Sequence, residues 1–299
     1  MKRMFPLLLC LGLLNASWAE TPAPMAETGA AHRALADALD VKKDAAGAIA
    51  EFQKAFALDS AAHLPEAALD LDSVGEELYG QSRYAEALGY FQQSLALTHG
   101  TGSKNEAIAL SDMGMTQGKL GRNEEGLATL QQSQVVFQKL GDRSGQATTL
   151  TNIGTVLEAL GRTEEAASAG IEALDVYRAI PDAVMEEGTA AYFASTLYDA
   201  KQYALAAKFY GRLLVCQRTR GDKKAAAITT GNLGACASSL NQYPQATDYY
   251  TQAVTLSHAE NDADSERVAT GGLASALFDD ARYQFRQVFE KYPEVRGVI

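Results

Sequence analysis

Small and apolar positions recur along this chain at an interval of about forty residues. The stretch TNIGTVLEALGRTEEA, residues 151–166, has a close counterpart in SDMGMTQGKLGRNEEG, residues 111–126. Others are GNLGACASSLNQYPQA at 231–246, DSVGEELYGQSRYAEA at 72–87 and, more loosely, AYFASTLYDAKQYALA at 191–206. One small position per copy forms a ladder: Ala48, Ala87, Gly126, Ala166, Ala206 and Ala246, in steps of 39, 39, 40, 40 and 40. Self-similarity at such a period marks an architecture of stacked repeats. A further copy, GGLASALFDDARYQFR at 271–286, breaks the rule at Arg286.

A second ladder runs in phase with the first. Asp142, Asp182, Asp222 and Asp262 follow Gly141, Pro181, Gly221 and Asn261. Gly, Pro and Asn end helices, and Asp starts the next one by capping free N–H groups. Each repeat therefore reads as helix, tight turn, helix. The spacing predicts a helix from Arg143 to Leu160, stopped by Gly161. A second helix follows, capped by Thr163 and running to about Arg178, with Glu164 and Glu165 favourably placed in its first turn. Asn123 is expected to cap as Thr163 does, and Asn241 to stop a helix as Gly161 does. No β-type alternation appears, so the predicted fold class is all-α.

These residues resemble the tetratricopeptide repeat. Met113-Gly114, Ile153-Gly154 and Leu233-Gly234 match that family's Leu-Gly element. Ala48, Ala87, Ala166, Ala206 and Ala246 match its small position, and Phe52, Phe91, Tyr210 and Tyr250 match the aromatic four residues later. Phe193-Ala194 and Gly170 depart from the pattern. The forty-residue period, with LGDRSGQATTLTNIG, is similar to the longer subtype seen in kinesin light chain and in bacterial regulators. The resemblance implies a right-handed α-solenoid of about six helix-turn-helix units plus a degenerate C-terminal capping repeat, spanning residues 30–299. For the last copy, rich in Phe278, Tyr283, Phe285, Phe289 and Tyr292, two readings stand: a cap packed on the sixth repeat, or a hydrophobic docking surface.

The N-terminus is set apart from this pattern. Lys2 and Arg3 precede an apolar run from Met4 to Leu14, and Ser17-Trp18-Ala19 offers small residues around a cleavage point. Residues 1–19 read as a secretory signal peptide cleaved after Ala19, because the run is too short to span a bilayer. Residues 20–29 read as a flexible leader. The expected location is periplasmic or secreted, with no membrane insertion after cleavage. Cleavage removes Lys2 and Arg3 and takes the net charge from −11 to −13. With no basic stripe to displace counterions from phosphates, nucleic acid is excluded as a partner.

Catalytic chemistry finds no foothold. The glycines of the 151–166 stretch lack the strand and spacing of a phosphate-binding loop; Gly154 falls mid-helix and Gly161 ends the helix. His32, His63, His99 and His258 form no metal-spaced pair. Glu124-Glu125 and Glu164-Glu165 fit helix starts, and Asp279-Asp280 a position near a helix end. Cys216 and Cys236 lie on adjacent antiparallel helices with an axial mismatch of roughly 13 Å, too far for a disulfide. The expectation is a non-enzymatic protein with two buried free thiols, no cofactor and no metal.

The resemblance places function in the concave groove lined by the first helix of each repeat. In the longer subtype an Asn just before the Leu-Gly pair contacts the backbone of a bound peptide. Asn152 and Asn232 match that residue; Asp112 and Tyr192 hold the same column in other repeats. A structural Asn bonded within the repeats is the competing reading. Tyr79, Glu158 and Tyr198 are groove neighbours by helical spacing, as are Asp72, Glu76 and Met115. The partner implied is another protein or a peptide, and the carboxylates favour a basic or N-terminal segment, although each charge also reads as a solvated face. The leading function is an exported scaffold or adaptor, in envelope assembly or secretion. The alternative is a ligand-responsive sensor domain signalling to a membrane partner.

Overall fold

The structure, a computed structural model, describes residues 28–180 and 183–291. The expected signal peptide at 1–19, the leader up to residue 27, Pro181, Asp182 and Tyr292 lie outside these residues. Thirteen helices fill the described residues, without strands. They are α1 (Gly29–Val41), α2 (Ala45–Ala61), α3 (Glu66–Gly80), α4 (Tyr84–Thr98), α5 (Lys104–Lys119), α6 (Asn123–Leu140) and α7 (Arg143–Ala159). There follow α8 (Thr163–Arg178), α9 (Ala183–Asp199), α10 (Tyr203–Arg220), α11 (Lys223–Ser239), α12 (Tyr243–Ala259) and α13 (Ala263–Lys291).

Each helix packs on the next in sequence, and the odd-numbered helices also touch one another, α3 with α5, α5 with α7 and α11 with α13. The odd-numbered helices therefore form the closer, inner layer of an α-solenoid, and the even-numbered ones the outer layer. The small-residue ladder explains the close approach. Ala48, Ala87, Ala166, Ala206 and Ala246 are all fully buried. In the third repeat a Cβ on Gly126 would lie 2.6 Å from the Gly114 carbonyl oxygen, so the two backbones meet with no room for a side chain.

The turn inside each repeat is set by one left-handed residue. Lys43, Ser82, Gly121, Gly161, Lys201 and Asn241 all have φ between 59° and 78°. A non-glycine residue pays roughly 1–2 kcal/mol for that conformation, so the slot is enforced by the packing on either side. The equivalent residue forty further on is Ala281, a strong helix former. Here the chain does not turn, and α13 continues for 29 residues. The degenerate last repeat is thus one long helix rather than a pair, and Asp279-Asp280 lies inside it, not near its end.

The helix starts divide into two kinds. Ser103, Asp142 and Asp222 cap inner helices by accepting from the N–H three residues on, and Ser265 N–H donates to Asp262 at 3.3 Å. Among the outer helices α2 keeps such a cap, Asp44 accepting from Gly47 N–H at 3.0 Å, but those from α4 to α12 do not. Thr163 and Asn123 do not cap; each is the first residue inside its helix, and the capping position belongs to Arg162 or Arg122, with no side-chain cap bond. The left-handed residue leaves only one position before the helix begins, and that position is Arg in α4, α6 and α8. The guanidinium instead reaches the Glu three residues on, as in Arg162 to Glu165 at 2.7 and 2.6 Å.

The departures at Phe193 and Gly170 answer each other. Gly170 stands where other repeats carry an aromatic, and the fully buried Phe193 ring fills the space from the neighbouring inner helix, stacked on Phe209 at 5.2 Å. Cys216 and Cys236 are free and buried.

Candidate functional site

The inner layer presents its polar residues to a groove. Successive inner helices place Tyr79 on α3, Asp112 on α5 and Asn152 on α7 around one pocket of about 280 Å³, with Glu76, Met115 and Phe91 completing its wall. The near-forty-residue repeat causes this convergence: equivalent positions on stacked helices fall side by side. Asn152 Nδ2 donates to the buried Ser111 hydroxyl at 3.2 Å, which ties α7 to α5 and fixes the amide at the pocket edge. The Asn152 side chain is therefore structural and groove-facing at once.

The remaining groove residues lie further along. The Tyr192 hydroxyl donates to Glu158 Oε2 at 3.1 Å, linking α9 to α7. Burial raises the Glu158 carboxyl, and the tyrosine hydrogen bond offsets this in part. Tyr198 is more a core residue than a groove residue. Its ring packs edge-on to Tyr203 at 5.3 Å and to Tyr210 at 6.5 Å, against the largest hydrophobic cluster. Asn232 lines a separate, mainly apolar pocket of about 280 Å³ with Ile228, Tyr250 and Val268. The seven residues picked from the sequence therefore fall into one three-residue pocket, one hydrogen-bonded pair and two isolated positions.

Electrostatics single out the first pocket. Asp72 and Glu76 are one turn apart on α3, and Asp112 faces them from α5. Burial pushes the Asp72 carboxyl up to about 8, aided by Asp112 and Glu76, while Ser94 opposes the shift. Asp112 is pushed up to about 7 by burial and by Glu76. Glu76 keeps contact with water, yet the groove walls raise it as well. Sequence spacing names Asp72 and Glu76 as neighbours of the groove but gives no sign of their burial.

The described residues hold no group of three or more His, Cys, Asp or Glu placed to bind a metal ion. None of their helices is long and apolar enough to cross a membrane. Along α13, Phe278 and Phe285 are 68% and 60% exposed, so the second half of that helix presents an open apolar face.

Residues 105–179, which contain Asp112 and Asn152, match the profile of the tetratricopeptide repeat family. Residues 105–179 therefore carry tetratricopeptide repeats, and the helix pairs on either side continue the same fold. Among solved structures, a Rap protein complexed with competence and sporulation factor aligns with a TM-score of 0.55 at 14% identity, over 84% of this chain and 75% of that one. A putative kinesin light chain from Podosopora anserina, with nearly identical tetratricopeptide-like repeats, gives 0.53 at 12% identity, over 67% and 98%. Aspartyl phosphate phosphatase F from Bacillus subtilis gives 0.57 at 13% identity, over 83% and 69%. At these identities the likeness is one of fold. Comparison with curated protein sequences finds no match. In this solenoid the inner groove around Asp112 and Asn152 is the surface on which the matched repeats and the pocket geometry coincide.

Proposed function

We propose that the protein is an exported, non-enzymatic scaffold that holds a segment of another protein in its inner groove. The observation that carries this is the convergence of Tyr79, Asp112 and Asn152, from three successive inner helices, on one pocket. An amide supplies both donors and an acceptor to a peptide backbone, and Tyr gives contact area at low entropic cost. The Rap protein solved with competence and sporulation factor supports a fold that accommodates a bound factor. Export is supported by the apolar run after Lys2 and Arg3 and by the Ser17-Trp18-Ala19 sequence; N-terminal sequencing of the purified protein, expected to begin at Glu20, tests it.

The groove reading is tested by placing a photoreactive residue at position 152 in cells. The expected result is one dominant crosslinked protein. Crosslinks absent there but abundant from position 285 would move the binding surface to α13. A second reading, a ligand-responsive sensor, is favoured by the apolar pocket around Asn232. It predicts a thermal shift with a small apolar molecule, retained when Asn152 is changed.

A further inference from the structure

Asp72 is 3% exposed, and neither of its carboxylate oxygens has a hydrogen-bond partner. Asp112 Oδ2 is likewise buried without a partner, and the buried Ser94 hydroxyl, which opposes the rise at Asp72, lies beside that carboxyl without good hydrogen-bond geometry. Native proteins satisfy nearly all such groups, so a concentration of orphans in one place calls for a physical reason. Among the described residues no ion pair reaches Asp72, Glu76 or Asp112. The cation on the neighbouring wall, Lys104, is engaged with Asp142 at 2.9 Å. The other polar side chains on the walls beside Glu76 and Asp112 include Tyr79, Ser111, Thr148 and Asn152, none of them cationic.

The pocket between these acids and the groove has a definite chemistry. Its apolar lining comes from Tyr79, Phe91 and Met115, and its acidic lining from Glu76 and Asp112. An aliphatic stem ending in a cation matches that division: the stem lies along apolar walls while the head meets the carboxylates, and an aromatic face adds attraction for the charge. We propose that this pocket receives a lysine or arginine side chain of the segment bound in the groove, with Glu76 and Asp112 on its wall as counter-charges and Asp72 buried behind them. The proposal rests on the groove reading above and names its specificity.

A coupling to protons follows. At neutral pH Asp72 is largely protonated and Asp112 is near half-titrated, at about 8 and about 7. A cation brought against them favours their ionised forms, so binding releases on the order of one proton. Affinity should rise as pH goes from 6 to 8.5.

The test uses the full chain and a phage-displayed library of random twelve-residue peptides, panned against the wild type and the Glu76→Gln/Asp112→Asn double variant. Circular dichroism establishes that the variant is folded. The expected result is enrichment of Lys or Arg at one position on the wild type only. Synthetic versions of those peptides should bind at least tenfold more weakly to the double variant, and more weakly at pH 6 than at pH 8. Asp72→Asn, close in shape to the protonated acid, should remove part of that pH dependence without unfolding the chain, and the share of Asp112 should remain. Selected peptides that crosslink at position 152 but lack a basic residue would overturn the basic pocket and leave the groove reading standing. Selected peptides that never crosslink there, whatever their sequence, would overturn the groove reading itself.

Discussion

A Cβ placed on Gly170 would lie 2.8 Å from two ring atoms of Phe193. The two residues are a matched pair: one supplies the space, the other the volume. Gly170→Ala should therefore destabilise the protein by about 1–2 kcal/mol, despite the better helix propensity of Ala, because the buried ring must shift. Phe193→Leu should cost a similar amount by leaving a void. In the double variant the smaller side chain makes room for the methyl group, so the losses should fall short of their sum by at least ~0.5 kcal/mol. Urea midpoints of the four proteins measure this. Strict additivity would show that the pair is not coupled.

Cys216 and Cys236 are 6% and 0% exposed, and burial pushes both thiols up to about 11. The thiolate is the reactive form, so the folded protein should react with a maleimide orders of magnitude more slowly than the urea-unfolded chain, which should take up two equivalents at these positions. Intact mass of the monomer should show no two-proton deficit. A deficit, or rapid labelling of the native protein, would contradict the arrangement of α10 and α11.

Much of this fold was legible because packing repeats every turn of the solenoid. Ala87 and Ala206 announce close helix approach, and Asp142 and Asp222 announce helix starts, each through a local constraint visible in the residue type itself. Thr163 misled because capping depends on where the chain leaves the left-handed turn, a shift of a single residue. The unbroken α13 hung on Ala281, whose meaning appears only beside Gly161 and Asn241 in the same slot. For the site, helical spacing brought Tyr79, Asp112 and Asn152 to one surface. It could not distinguish Glu76, still in contact with water, from Asp72 one turn away and fully enclosed. That difference arises from the walls supplied by α4 and α5.

On α13 the exposed and buried faces should respond in opposite ways. Phe278 is 68% exposed, whereas Ala276 is fully buried against the preceding repeat. Phe278→Ser should change the melting temperature by no more than about 2 °C, as surface substitutions do. The same change should reduce retention on a hydrophobic column. Ala276→Leu should overfill the contact with α12 and cost about 1–3 kcal/mol. Thermal melts of the two variants decide the matter; a large loss from Phe278→Ser would mean that its ring is covered in solution.

Stability should fall with rising pH in the neutral range, and Asp72 should be a main cause. Its folded-state value, about 8, lies far above that of an unfolded aspartate. The native state therefore holds a proton that the unfolded chain has released between about pH 4 and pH 8. The contribution of the neutral carboxyl is complete below the unfolded value and is lost as pH climbs through the folded one. Asp112, at about 7, acts in the same direction. The wild type should melt several degrees lower at pH 8.5 than at pH 5.5. Asp72→Asn holds this position neutral at every pH, so the variant should match the wild type only near pH 4, and its advantage should grow by about 1–3 kcal/mol between pH 5.5 and pH 8.5. The comparison needs only thermal melts in buffers of equal ionic strength. Parallel decline of both proteins would assign the pH dependence to another group.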